Sequence, residues 1–316
     1  MRALTSADRK QSLVVFGEFF IDLIFYGLPA APKLGEEVKT NRFAEFPGGG
    51  LATTALVAAG LGTPTGVITR VGGDAPLNPA WQKLVKGGVS VDACEFEPHL
   101  PTARTVCAAY GHDRMMITHD AINKGLPTLF ARRAVRSQLR GAKHLHLACA
   151  LWPPKAWLTL MRKLRAQGLV LSADIGWNPA LFASRQLPSL LRELAFTFPN
   201  EIEARAITGE TNLEKAARKL AAWVRVPVIK LGRGGCLAMH EDRLLRVRSI
   251  PVRSVDATGA GDAFNGGFLH GYLAGWQVDD CLRAGNVCGA LATTRAGGSS
   301  AIPTVKRLRA LMRKIA

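Results

Sequence analysis

Residues 254–268 read SVDATGAGDAFNGGF, a stretch that sets two aspartates and two glycines inside residues 256–262 and then turns into a helical pattern. A helix start exposes N–H groups without intrahelical acceptors and carries the positive end of the helix dipole. Glycine at 259 and 261 suits a turn in which backbone must approach something closely. The N–H groups of Gly259, Ala260 and Gly261 would cradle phosphate oxygens, and a larger side chain would crowd that approach. Asp262, at the end of such a nest, is no phosphate ligand. It can, however, sit beside a terminal phosphate and take a proton from an incoming hydroxyl. The plainer reading is an acidic residue that balances the helix dipole and does nothing else. This stretch by itself leaves both readings open.

Upstream, short β-branched apolar runs alternate with helical periodicity. SLVVFGEF, PTGVITRV, KHLHLA, GLVLSADI, LAFTFP and VPVIKLG read as strands. Residues 50–61, 77–86, 155–166 and 213–223, together with EIEARAITG, read as helices. Such alternation predicts an α/β fold, a doubly wound and mostly parallel sheet flanked by helices, in one domain spanning 1–316. Two regions break it. Residues 18–46 hold turn formers and little periodicity, and residues 96–118 contain RTVCAAYGHDRMMIT, which reads as two strands around a Gly-His-Asp turn. These segments are expected to form a small β-sheet lid over a site.

Composition bounds the function. Of the 316 residues, 48% are hydrophobic and 7% aromatic, which fits a globular enzyme rather than a disordered chain. No apolar run reaches membrane-spanning length, and the N-terminal MRALTSADRKQS has no apolar signal core. The six cysteines are scattered without a C-x-x-C pair, which points to reduced, mostly buried thiols and a cytoplasmic location. The net charge of +17 raises the question of a nucleic-acid partner. Its lysines and arginines are dispersed over helix faces, as in FARRAVRSQLRGAK and TVKRLRALMRKIA, without an aromatic-interleaved stripe. A solvated basic surface is therefore expected over specific nucleic-acid binding, and no membrane partner is expected. No G-x-G-x-x-G follows the first strand, which removes a dinucleotide-binding dehydrogenase from consideration.

Three further clusters accompany the first. FPGGGLATTALVAAGLG places Gly48, Gly49 and Gly50 at a helix start, where backbone can approach a ligand hydroxyl or simply turn tightly. TFPNEIEARAITG puts Asn200 and Glu203 three apart on one helix face, suited to a phosphate and a hydrated magnesium ion, or to an Asn cap with surface carboxylates. IKLGRGGCLAMH is a hairpin whose glycines turn the chain or border a nucleotide. His144 and His146 alternate with leucines and read as packing residues, while Asp174 stands at the C-terminal end of a strand, where α/β sheets place ligands or caps.

Taken together and in this order, DATGAGD, PGGG, PNEIEA, KLGRGG and LRAGNVCGALATTRAG make the chain resemble the ribokinase-like (PfkB) carbohydrate kinase family over nearly its whole length. The resemblance implies a doubly wound domain with a β-sheet lid, ATP and Mg2+ as cofactors, and transfer of the γ-phosphate to a sugar or nucleoside hydroxyl. It implies Asp262 as catalytic base and the Gly259, Ala260 and Gly261 amides as an anion hole. Asn200 and Glu203 would serve the nucleotide phosphates and, through water, magnesium. Lys230, Gly232 and Gly235 would border the nucleotide, with Asn286 near the adenine end. Asp22 would bind acceptor hydroxyls, and Gly48 and Gly49 would allow close approach. A K+ ion near the loop after Thr294, with Asp256 contributing, and a homodimer formed through the lid also follow from the resemblance.

The sequence departs from the ribokinase pattern on the acceptor side. Phe20 and Thr53 stand where ribokinases carry asparagines, and Lys230 stands where a Thr often precedes the Leu-Gly pair. Losing two amides and gaining an aromatic wall at Phe19 and Phe20 argues against ribose and keeps a nucleoside as an alternative acceptor. A non-catalytic sensor on the same fold is the remaining rival.

Overall fold

A computed structural model of the chain describes residues 12–110 and 113–315. The expectations for the first eleven residues and for the Gly111–His112 turn lie outside the described residues.

The N-terminal half begins with β1 (Leu13–Gly17), β2 (Phe20–Phe25), β3 (Phe43–Gly48), α1 (Gly49–Gly60), β4 (Thr65–Ile68) and β5 (Arg70–Gly72). It continues through α2 (Pro79–Lys86), β6 (Glu95–Glu97), β7 (Arg104–Tyr110), β8 (Asp113–His119), α3 (Arg133–Gly141) and β9 (His144–Ala148). Next come α4 (Pro154–Ala166), β10 (Val170–Ala173), α5 (Pro179–Phe182), α6 (Leu187–Leu191), β11 (Phe196–Thr197) and α7 (Glu201–Thr208). The chain ends with α8 (Leu213–Ala221), β12 (Val226–Lys230), β13 (Cys236–His240), β14 (Arg243–Val247), α9 (Ala260–Leu273), α10 (Val278–Ala292) and α11 (Val305–Met312).

Eight strands form the main sheet in the order β14-β13-β12-β11-β10-β9-β1-β4. The strands from β4 through β12 run parallel, and β13 and β14 add an antiparallel edge. Strand β1 shows why both faces are covered. Leu13 and Val15 point into a core shared with α1, α2 and α9, whereas Val14 and Phe16 point into one built with α3, α4, α6 and α8. A strand buried on both sides reads as a continuous apolar run, which is what LVVF is. On β9 the alternation puts Leu145 and Leu147 in the second core and His144 and His146 on the α9 side, both fully buried. The two imidazoles share Ser172, at 2.7 Å from His144 Nε2 and 2.8 Å from His146 Nδ1.

A separate four-stranded sheet, β3-β2-β7-β8, forms from the two segments expected to make the lid. The register pairs Asp22 with Phe46 and Thr105 on one face, and Phe25 with Phe43 and Ala108 on the other. The sequence reading missed β6, which pairs with β5, and the short helices α5 and α6, which have too few residues for a helical period to show.

Candidate active site

Strand β1 has β4 on one side and β9 on the other, so the chain order reverses at this point. Doubly wound sheets bind ligands outside the strand ends at such a switch. The two strands end in Gly17 and Ala148, packed so closely that a Cβ on Gly17 would strike the Ala148 carbonyl.

The glycine triplet 48–50 is wedged between two carboxylates. A Cβ on Gly48 would run into the Asp22 carboxylate, and one on Gly50 would stand 2.9 Å from Asp262 Oδ1. Between them, Gly49 adopts φ +82° and faces the Glu18 carbonyl and the Phe20 ring. The lid strand β2 and the helix α9 are thereby brought to opposite ends of one three-residue turn. Asp22 and Asp262, far apart in sequence, come close enough for the Asp22 charge to act on Asp262. Phe20 lines this region, but Phe19 does not. It is fully buried and edge-on to Trp81 at 5.1 Å, so only one ring of the expected aromatic wall is present.

Helix α9 starts at Gly259 (φ +72°) without a side-chain cap. The Ala260 N–H donates a long bond to the Ala257 carbonyl at 3.3 Å, which closes the turn before the helix. A Cβ at 259 would meet the Gly298 backbone at 2.9 Å. Thr54 Oγ1 donates to the Asp262 carbonyl at 3.1 Å, fixing the first turn of α9 against α1. Its neighbour Thr53 is buried, and a Cβ on Gly259 would stand 3.3 Å from its Oγ1. Asp256 accepts from the Thr258 amide at 2.9 Å and from the Gly297 amide at 3.2 Å, tying the loop before the nest to the loop after Thr294.

Beside the nest opens a cavity of about 580 Å³ whose lining includes Lys230, Gly232, Gly235, Ala260, Gly261 and Asn286. Three of the five motifs, KLGRGG, DATGAGD and LRAGNVCGALATTRAG, thus converge on one space. Asn286 is a wall pinned in place, since its Nδ2 donates to the carbonyls of Val247 and Arg248 at 3.0 and 3.2 Å. Asn200 and Glu203 form a reciprocal capping box on α7, with Asn200 Oδ1 accepting from Glu203 N and Glu203 Oε2 from Asn200 N. The cap uses one polar atom of each side chain, and the bridge between Asn200 and Lys230 keeps the box beside the cavity.

Electrostatically the site is acidic with one buried cation. Lys230 Nζ lies 2.5 Å from Asp174 Oδ2, which also accepts from Asn265 Nδ2 at 2.7 Å. Burial alone would raise Asp174, but Lys230 and Asn265 hold it below the ordinary carboxylate range. Asp262 behaves oppositely. Burial pushes it up to about 7, reinforced by Asp174, Glu203 and Asp22 and opposed by Lys230. Glu203 is likewise raised, first by burial and then by Asp174. Paired carboxylates held at different pKa values are the arrangement expected of an acid–base site.

Other residues singled out in the sequence fall elsewhere. Arg104 is paired with Asp74 on the lid face opposite Asp22, so it is not an acceptor-side cation. His119 ends β8, exposed to solvent. Asp120 lies close enough to Glu18 to join burial in raising its pKa. Residues the sequence did not disclose are Thr54, Asn265 and Glu18. Thr54 and Asn265 lie inside the glycine-rich motifs, but each residue owes its place to a contact across the fold.

The sequence matches the description "pfkB family carbohydrate kinase" over residues 10–305. This chain belongs to the pfkB family. Among its relatives in the family, a cytidine kinase of Thermococcus kodakarensis is 26% identical, covering 86% of this chain and 92% of that protein. Fructokinase-2 of rice (Oryza sativa subsp. japonica) is 28% identical over 99% of this chain and 98% of that protein. The fold is that of a putative ribokinase II from E. coli solved with ATP and Mg2+, at TM-score 0.80 and 22% identity over 96% of this chain and 99% of the other. The pfkB fold accounts for the two-sheet architecture, and the family is one of kinases. Among the described residues, no helix is long and apolar enough to cross a membrane.

Proposed function

We propose that this pfkB protein transfers the γ-phosphate of ATP to a hydroxyl of a sugar or nucleoside, with Asp262 as base and the 259–261 amides as anion hole. The observation that carries this reading is the position of Asp262. Its carboxylate stands between an uncapped helix start opening on the 580 Å³ cavity and the glycine turn that faces Asp22. Phosphoryl transfer asks the protein mainly to position its reactants and to absorb charge. A nucleotide in the cavity would lay its terminal phosphate on the 259–261 amides. An acceptor held by Asp22 under the lid would present its hydroxyl to Asp262. A base poised near 7 takes that proton without being ionised at a prohibitive cost. Lid closure would exclude water, which otherwise competes as acceptor.

The residues fit a divalent cation. Asp174, Glu203 and Asp262 crowd one ammonium, and no cluster of three His, Cys, Asp or Glu ligands is present among the described residues. That donor set suits an ion held mostly by phosphate oxygens and water, with Glu203 reached through water. Magnesium, when bound, would neutralise the phosphate charge. Asp256 already bridges the two loops where a monovalent cation would stand, so K+ would reinforce a connection the protein makes itself.

A nucleoside acceptor is the second reading, favoured by the Phe20 ring beside Gly49. ADP release measured across sugars, nucleosides and sugar phosphates, repeated with Phe20→Asn, separates the two. Asp262→Asn should lower turnover on the best acceptor by at least about 100-fold while ATP still binds. Residual turnover near the unaltered rate would overturn the assignment.

The lid also supports a homodimer. Phe25, Phe43, Val106, Met115 and Ile117 share the face opposite Asp22 and are all exposed. The same apolar patch on a second copy would cover it about a two-fold axis.

A further inference from the structure

We infer that Lys230 is a catalytic residue whose ammonium contacts the transferring phosphoryl group beside the Gly259–Gly261 amides, with Asp174 and Asn265 as the residues that position it. The inference rests on the kinase reading above and assigns a chemical role to the residue that departs from the usual Thr.

Lys230 ends β12, and its N–H donates to the Pro199 carbonyl at 2.8 Å, anchoring its stem next to the α7 capping box. From there the side chain passes against the first turn of α9. A Cβ on Gly261 would stand 3.0 Å from Nζ, 3.5 Å from Cε and 3.6 Å from Cδ. Glycine at 261 therefore makes room for a lysine as well as for a phosphate. The ammonium lies under the nest whose amides are to hold the transferring group, and Lys230 lines the cavity itself.

The partners of that ammonium define its role. An ammonium has three N–H donors, and one reaches Asp174 Oδ2 at 2.5 Å. Asp174 is fixed in turn by Asn265, three residues beyond Asp262 on the same helix. Lys230 is thereby locked to α9 and cannot swing away from the nest without breaking a buried pair. The charge count leaves it more than a structural partner. Asp174, Asp262 and Glu203 all act on the ammonium and outweigh burial, holding its pKa above the ordinary value. A permanent cation, 14% exposed at its side chain, stands where negative charge is delivered by the nucleotide and redistributed during transfer. No atom balance changes in the step. The γ-phosphorus–oxygen bond to ADP breaks, the bond to the acceptor oxygen forms, the proton goes to Asp262, and Lys230 remains charged throughout.

A purely structural lysine would do no more than neutralise Asp174, and removing it alone would leave a buried carboxylate unpaired. The test therefore uses the double variant Lys230→Met with Asp174→Asn, which keeps the hydrogen bond to Asn265 and leaves no unpaired charge. With magnesium and the best acceptor from the screen, calorimetry would compare a non-hydrolysable ATP analogue with ADP–aluminium fluoride, a mimic of the phosphoryl group in flight. The expected result is analogue affinity within about threefold of the unaltered protein and ADP–aluminium fluoride affinity weakened at least about 30-fold, with kcat down about 100-fold. Equal effects on the two ligands, or a kcat restored by the double variant, would overturn the role of Lys230. Failure of the unaltered protein to bind either nucleotide would overturn the kinase reading on which it rests.

Discussion

At the scale of single residues, the glycines of the site answer to different neighbours. Gly49 and Gly259 need positive φ, whereas Gly48, Gly50 and Gly261 need room for Asp22, Asp262 and Lys230. This separation yields a prediction. Gly261 is helical, so Gly261→Ala gains helix propensity, worth about 0.5–1 kcal/mol. Its methyl group nevertheless pushes on the Lys230 ammonium. The variant should melt at or above the temperature of the unaltered protein and yet lose at least about tenfold in kcat. A full-rate variant would show that the gap beneath the nest is unused. The sequence marked Gly261 as special without disclosing why. The motif shows the glycine, but the lysine it accommodates lies 31 residues upstream, on β12.

At the scale of elements, α9 is held by contacts on several sides. Thr54 of α1 bonds the carbonyl of Asp262, a Cβ on Gly266 would meet the Thr54 carbonyl at 2.7 Å, and one on Gly267 would meet the Ala284 carbonyl of α10 at 2.8 Å. Small residues let the three helices approach, and that closeness fixes where Asp262 points. The lid is the contrasting element, paired internally but carrying an uncovered apolar patch. Ile117, 69% exposed, stands opposite Val106 within that patch. Ile117→Asp should abolish the proposed dimer in analytical ultracentrifugation without lowering the melting temperature by more than a few degrees. A monomeric unaltered protein at micromolar concentration would remove the lid interface from the proposal.

At the scale of the whole molecule, buried titratable groups make stability depend on pH in two opposed ways. His144 and His146 are lowered by burial to about 3 and about 4, so the unfolded chain binds more protons below about 6.5 and acid destabilises the fold. Asp262 is raised to about 7, so between about 4 and 7 the native state binds more protons and stability falls as pH rises. The two effects partly cancel in the unaltered protein. Asp262→Asn removes one of them. Denaturant unfolding should therefore show the variant more stable by about 1–3 kcal/mol at pH 8, with the gain shrinking toward zero near pH 4. The variant should also lose stability more steeply than the unaltered protein between pH 7 and 5. A pH-independent difference between the two would contradict the burial of Asp262.

The sequence by itself determined the layers and the glycine-rich turns that meet at the candidate site. Period-two and period-3.6 apolar patterns are local properties, and so the strand–helix alternation, the lid segments and the glycine-rich turns could all be read from neighbouring residues. DATGAGD, PGGG and PNEIEA marked the turns and helix starts of the candidate site, because each motif is a run of backbone needs. Only the tertiary structure decided what faces what. Phe19 turned into the core while Phe20 stayed beside Gly49, and Thr53 was buried against Gly259. Asp174 found its cation 56 residues away and its amide 91 residues away, and Thr54 reached Asp262 across 208. Partners at such separations are chosen by the order of strands in the sheet and by how closely three helices can pack, and neither leaves a trace in any short stretch of sequence.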